Sequence, residues 1–228
     1  MPAHAPDFLV LLGADYAGKS TAMARLRHTA PADTADTADT AGAGTGPRRR
    51  TLSTDEDFLA PQHQLLNRLR RDVVKDVAAN EQAYSPDFLA TLLQSAAVHL
   101  RDEILRDPAA PAVVDSYYYK LLAKCRLAGA RDNSLFAWWR SFPQPRRVIY
   151  LQVSPSSAWR RAGHGRALNR LEYYGPRPTL DGFTRYQDDL AKTMHDEIAH
   201  LPVTVVDEHP DPRATAQAIQ KVIDHELG

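Results

Sequence analysis

Nine residues near the start of the chain constrain its fold more than any other stretch. Gly13-Ala14-Asp15-Tyr16-Ala17-Gly18-Lys19-Ser20-Thr21 fits the pattern G-x-x-x-x-G-K-[ST], a loop that works only when a strand leads into it and a helix leads out. Both flanks are present. Phe8-Leu9-Val10-Leu11-Leu12 is a short apolar run suited to a parallel strand buried on both faces, and Thr21 to Arg27 carries helix formers with an apolar face. Glycines at 13 and 18 leave the backbone N–H groups unobstructed at the positive end of that helix, where they suit the phosphates of a nucleoside triphosphate. Lys19 is placed to reach the β/γ-phosphates, and Ser20 offers a small hydroxyl to the Mg²⁺ that bridges them. The residues expected to cradle the nucleotide are Gly13, Asp15, Tyr16, Ala17, Gly18, Lys19, Ser20 and Thr21.

The rest of the chain alternates strand and helix patterns. Further strands are expected at Arg50–Thr54, Ala112–Asp115, Arg147–Val153 and Pro202–Asp207, and helices at Gln62–Ala79, Pro86–Arg106 with Ser85 as its N-cap, and Pro212–Leu227. Five strands alternating with helices predict an α/β fold with a parallel sheet, built as a single domain over residues 1–228. Asp115 closes an apolar strand, where a carboxylate holds Mg²⁺ beside such a loop, directly or through water. Asp55 and Asp57, past the second strand, either face the ligand crevice or are solubilising loop residues. Trp159 to Glu172 sets Arg160, Arg161, Arg166 and Arg170 around Gly163 and Gly165, a composition suited to a mobile lid that closes on a transferring phosphoryl group. An exposed basic helix has the same composition, and His164 reads as lid surface.

Charge excludes some partners. Lys plus Arg equals Asp plus Glu at 28 each, so no global field draws the chain to nucleic acid or an anionic membrane. Cys125 is the single cysteine, which precludes an internal disulfide and suits a reducing cytosol. No run of about 18 apolar residues occurs, so a soluble, cytoplasmic protein is expected. The triplet Ala32-Asp33-Thr34 repeats twice and runs into Ala41-Gly42-Ala43-Gly44-Thr45-Gly46-Pro47, too poor in large apolar side chains to offset ordering entropy. A flexible insertion at 31–47 is expected there, and the basic run Arg48 to Arg50 carries no assigned role.

These residues resemble the thymidylate kinase family over most of the chain. The loop has that family's Asp two residues after the first Gly, Asp115-Ser116-Tyr117 sits where the family carries Asp-Arg-Tyr, Pro155 to Glu172 looks like its lid, and Phe183 to Tyr186 lies near its aromatic helix. The resemblance implies a P-loop kinase fold, ATP and Mg²⁺ as cofactors, and phosphoryl transfer to a small-molecule acceptor. It implies Lys19, Asp115, Arg160, Arg166 and Arg170 as the catalytic set, Ser20 and Asp115 as metal ligands, and Asp15 and Tyr117 bordering the acceptor. It also makes a homodimer the default, for which the leucine face within Phe88 to Leu105 is one candidate surface. The likeness departs on the acceptor side. Ser116 and Ala96 stand where the family places arginines that grip the acceptor's phosphate, and Thr54-Asp55-Glu56-Asp57 replaces its Arg-Glu-Pro segment. Asp55 or Asp57 would then serve to take a proton from an unphosphorylated hydroxyl. A non-nucleotide alcohol as acceptor, or a nucleotide-binding regulator without turnover, are the alternative functions.

Overall fold

The computed structural model describes residues 6–29, 49–80 and 82–227; the expected insertion at 31–47 lies outside them. Strands β1 (Phe8–Gly13), β2 (Arg50–Leu52), β3 (Ala112–Asp115), β4 (Arg147–Gln152) and β5 (Val203–Asp207) form one sheet in the order β2-β3-β1-β4-β5, with every pairing parallel. This is the α/β architecture the alternating pattern predicts. The two-residue period of the strands sorts the core into two layers. Phe8, Val10, Leu12, Val114 and Tyr150 join one buried cluster, whereas Leu9, Leu11, Val113 and Leu151 join the other with Met23 and Ile223.

Helices α1 (Lys19–Thr29) and α9 (Pro212–Leu227) cover the second layer, and α4 (Pro86–Arg106), α5 (Tyr117–Leu127) and α8 (Leu180–Ile198) cover the first. Helix α4 begins as its sequence signals: Ser85 accepts a 3.1 Å hydrogen bond from the Phe88 N–H, and Pro86 occupies the first turn. Of its leucines, Leu89, Leu93 and Leu100 are buried in the chain's own core, whereas Leu105 is 47% exposed. Arg50 closes the other end of α4, donating to the carbonyls of Glu103 at 2.7 Å and Asp107 at 2.6 Å. Arg49 pairs with Asp224 of α9 at 3.0 Å. The two described members of the basic run are therefore structural.

The helix expected over 62–79 is divided. A 3-10 turn at Pro61–His63 leads into α2 (Gln64–Arg68), a π-turn at Leu69–Val74 and α3 (Lys75–Ala79). Two shorter helices complete the set: α6 (Ser134–Arg140), capped by Asn133 and not anticipated, and α7 (Pro155–Arg161), capped by Ser154. Cys125 is fully buried and burial pushes its thiol up to about 12, so it behaves as a core side chain. No helix among the described residues is long and apolar enough to cross a membrane.

Candidate active site

Strand β1 lies between β3 and β4, so the crevice at its carboxyl end opens where neighbouring connections leave in different directions, the usual ligand position in such sheets. Gly13 ends β1 at φ +152°, and a Cβ there would come 2.5 Å from the Leu151 carbonyl oxygen of β4. Only glycine permits that approach. Gly18, at φ +99°, leaves space over the loop, where the nearest atom to a Cβ would be Arg161 Nη1 at 4.0 Å. Lys19 is buried and curls back to donate to the carbonyls of Gly13 at 3.0 Å and Ala14 at 2.8 Å. Burial and the neighbouring Lys120 pull its pKa down to about 7, against the opposing pull of Asp115 and Asp15.

Oxygen donors gather beside it. Ser20 Oγ donates to Asp55 Oδ2 at 2.7 Å, and Arg70 holds the other Asp55 oxygen at 3.1 Å. Asp115 accepts from Ser53 Oγ at 3.2 Å and Ser116 Oγ at 2.8 Å. Ser20, Asp55 and Asp115 line one cavity, and an all-oxygen donor set fits a hard divalent cation such as Mg²⁺. Asp57 stands apart from this group. It is exposed on a 3-10 turn, and its backbone carbonyl accepts from Arg27, so of the two readings the sequence leaves open it fits the solubilising loop residue. Thr21 lines the cavity at the first turn of α1.

Asp15 is where expected, but its partners are not those expected. Its carboxylate, 6% exposed, meets Lys120 at 2.6 Å and Lys124 at 3.1 Å, and Lys124 reaches Glu172 at 3.6 Å. Its backbone N–H donates to Gln187 Oε1 at 3.0 Å. Burial works against ionisation here, yet Lys120 and Lys124, with Lys19 beyond them, hold the carboxyl below the usual carboxylate range. Lys120, in turn, is shifted by burial downward but by Asp15 and Asp115 upward, and the upward pull prevails. Both Asp15 oxygens are engaged within the protein.

The segment 155–172 reaches the loop through Arg161 rather than through Arg160, Arg166 or Arg170. Arg161 Nη1 donates to the carbonyls of Tyr16 at 3.3 Å and Ala17 at 3.2 Å, while Nη2 pairs with Glu208 at 3.0 Å. Arg160 bonds Ser157 within α7, Arg166 bonds the Gly163 carbonyl, and Arg170 donates to the carbonyls of Tyr173 and Gly175. The reason is helical phase: neighbours on α7 point about 100° apart, so Arg160 and Arg161 cannot share a target. Tyr16, at φ +59°, sends its hydroxyl to the Ala167 carbonyl at 2.8 Å and to Glu172 Oε2 at 3.3 Å, fastening loop to lid. His164 is exposed, as expected of lid surface.

Tyr117 lines the cavity, but its ring packs among Phe8, Tyr118, Tyr119 and Phe142. Ser116 and Tyr117 both take left-handed backbone angles, φ +59° and +47°, strain that collects at functional junctions. The cavity, about 720 Å³ in volume, also has Ser116 and Ala96 in its wall, so the departures from the thymidylate kinase pattern fall on the site itself. Lys120, Lys124, Gln187, Glu172 and Arg161 were missed as site residues. The lysines are spaced i, i+4 one turn past the strand that ends at Asp115, a signal that was present but ambiguous.

No family model matches the chain, and none of the curated proteins matches it. Solved structures do. A deoxyadenosine kinase from M. mycoides, with products dCMP and dCDP bound, is 12% identical with a TM-score of 0.58, covering 96% of this chain and 99% of that one. The same kinase with dCTP bound is 14% identical with a TM-score of 0.54, covering 96% and 99%. Thymidylate kinase from Candida albicans is 14% identical with a TM-score of 0.56, covering 96% and 92%. The chain has the fold of these nucleoside and nucleotide kinases.

Proposed function

We propose that this chain is an ATP-dependent phosphotransferase that moves the γ-phosphoryl group to a small-molecule acceptor. The observation that carries the reading is the convergence of the loop, Lys19, the Ser20–Asp55 pair, Asp115 and Arg161 on a single cavity. Sharing its fold with nucleoside and nucleotide kinases supports it.

The loop amides and Lys19 hold the β- and γ-phosphates, Lys19 exchanging the Gly13 and Ala14 carbonyls for phosphate oxygens. Ser20 and Asp115 would hold Mg²⁺, which would supply neutralising charge to those phosphates. Arg161 is the lid cation already at the loop, so it supplies charge to the transferring group ahead of Arg160, Arg166 or Arg170. Residues 155–172 act as the lid within a single kinase domain of 1–228. Asp55 accepts the proton of an acceptor hydroxyl, its position beside Ser20 setting it against the phosphate-binding loop. Ser116 and Ala96 in the cavity wall favour an acceptor other than dTMP.

The test is ADP release from ATP and Mg²⁺ over a panel of nucleosides, nucleoside monophosphates and alcohols, with Lys19→Ala as the blank. Acceptor-dependent release, lowered about 10²–10³-fold in Lys19→Ala, is expected. ATP-induced thermal stabilisation without release for any acceptor would replace the kinase by a nucleotide-binding regulator.

A further inference from the structure

On α4, His99 and Glu103 are four residues apart and so share one face of the helix. That face meets the 3-10 turn Pro61–His63, which His63 ends. All three side chains are half-buried, and each offers an atom, two imidazole nitrogens and one carboxylate oxygen, within 4.8 Å of the other two. The rings of His63 and His99 meet edge to face with centroids 4.7 Å apart. His63 Nδ1 stands 4.0 Å from Glu103 Oε1, beyond hydrogen-bond length.

The carboxylate has capacity to spare. Arg106 donates to Glu103 Oε2 at 2.9 Å, but its approach to Oε1, at 2.7 Å, is not directed as a hydrogen bond, and Oε1 is buried without one among the described residues. A buried oxygen left in this way is costly unless something completes it. The Arg106 side chain is itself 59% exposed, so turning it out to solvent costs little.

Two imidazole nitrogens and one carboxylate oxygen are the donor set of a three-ligand zinc centre, with water in the fourth position. Bonds of about 2.0–2.1 Å set tetrahedral ligand atoms about 3.3 Å apart, so the donors must draw inward by about 1 Å, within the reach of side-chain rotation. Mg²⁺, which keeps to oxygen ligands, suits the set poorly. The place of the cluster gives such an ion something to do. His63 falls between Asp55 and the run Leu66, Leu69 and Arg70, which line the cavity, and His99 follows Ser95 and Ala96, which line it from α4.

We infer that His63, His99 and Glu103 form a binding site for a divalent transition metal of the Zn²⁺ kind, and that the bound ion braces the segment 61–74 against α4. The site stands apart from the kinase reading, because none of its three residues lines the cavity.

The experiment titrates the untagged full chain, stripped by chelator, with ZnCl₂ and CoCl₂. A single ion per chain is expected, with the intense visible bands of four-coordinate Co²⁺ and no displacement by excess Mg²⁺. Glu103→Gln, which keeps the side chain's shape, should weaken zinc binding at least about tenfold, and His99→Ala at least about a hundredfold. Arg106→Ala should tighten it about two- to fivefold by releasing the carboxylate, a gain that lost packing would not produce. Zinc should slow amide exchange across 61–74 in the native chain and not in Glu103→Gln. No zinc uptake, uptake that Glu103→Gln and His99→Ala leave unchanged, or displacement by Mg²⁺ overturns the site. Uptake without slowed exchange across 61–74 overturns the brace. Should His99→Ala fail to fold by circular dichroism, the cobalt spectrum of the native chain, Glu103→Gln and Arg106→Ala still decide the outcome.

Discussion

The two sides of the cavity are built by opposite means. On the donor side, one contiguous loop presents backbone groups, and its geometry is set by glycines at 13 and 18 and by the sheet on which β1 lies. On the facing wall, side chains from α2, the π-turn, α4 and α5 meet across long sequence separations. A backbone site tolerates sequence change everywhere except at a few positions, whereas a side-chain site changes character with each substitution. The chain combines its glycine loop with leucines, Ser116 and Ala96 on the facing wall.

Asp15 belongs to both sides, so altering it should break the comparison most severely. Asp15→Asn leaves Lys120 and Lys124 buried without their shared carboxylate, a loss of about 3–5 kcal/mol in urea unfolding at pH 7. The sign with pH follows from the folded carboxyl lying below its unfolded value of 3.8. Its stabilisation is complete above that pH and is lost as pH falls through the lower folded value, so the gap between native and Asp15→Asn should narrow in acid. An unchanging gap from pH 7 to pH 2 would show that the charge is not what matters.

Lys19→Ala tests the donor side alone and should lower kcat/KM by about 10²–10³-fold with little change in fold, as read by ADP release and circular dichroism. Arg161→Ala set against Arg160→Ala sharpens the assignment within the lid. The first should cost about 10²-fold in kcat and the second less than about threefold; equal losses would return the role to the cluster as a whole. The smallest effect is expected for Tyr16→Phe, which removes the hydroxyl that bonds Ala167 and Glu172. About 0.5–1.5 kcal/mol of lid closure should be lost, visible as faster amide exchange across 163–172 with kcat nearly preserved.

What could be read from the sequence was what is local. The apolar runs marked the strands because a buried parallel strand needs only its own residues to be hydrophobic, and Ser85-Pro86 marked the start of α4 because a cap is a four-residue event. The π-turn at Leu69–Val74 left no trace in the pattern, since an extra residue in a turn is decided by packing on neighbouring helices. The same reason separates Arg161 from Arg160: composition marked a basic segment, but helical phase chose the contact. Asp15 with Lys120, Lys124, Glu172 and Gln187 draws on a loop, two helices and a lid turn. No periodicity within one element could have revealed it. Asp55 and Asp57 could not be told apart in the sequence, because the residue preceding a 3-10 turn and one within it need not share a direction.

Lys19 and Arg161 each grip a pair of peptide carbonyls belonging to the loop itself. An arriving anion therefore gains only the difference between its own contacts and those it displaces. Such placeholders keep the buried Lys19 from standing bare and hold Arg161, already paired with Glu208, against the loop, and they impose a threshold. Inorganic phosphate or sulfate, able to displace one grip at most, is poorly rewarded, while a triphosphate long enough to displace both is rewarded twice. If the loop binds a triphosphate as proposed, its discrimination between anions is in this way written partly into its own backbone oxygens.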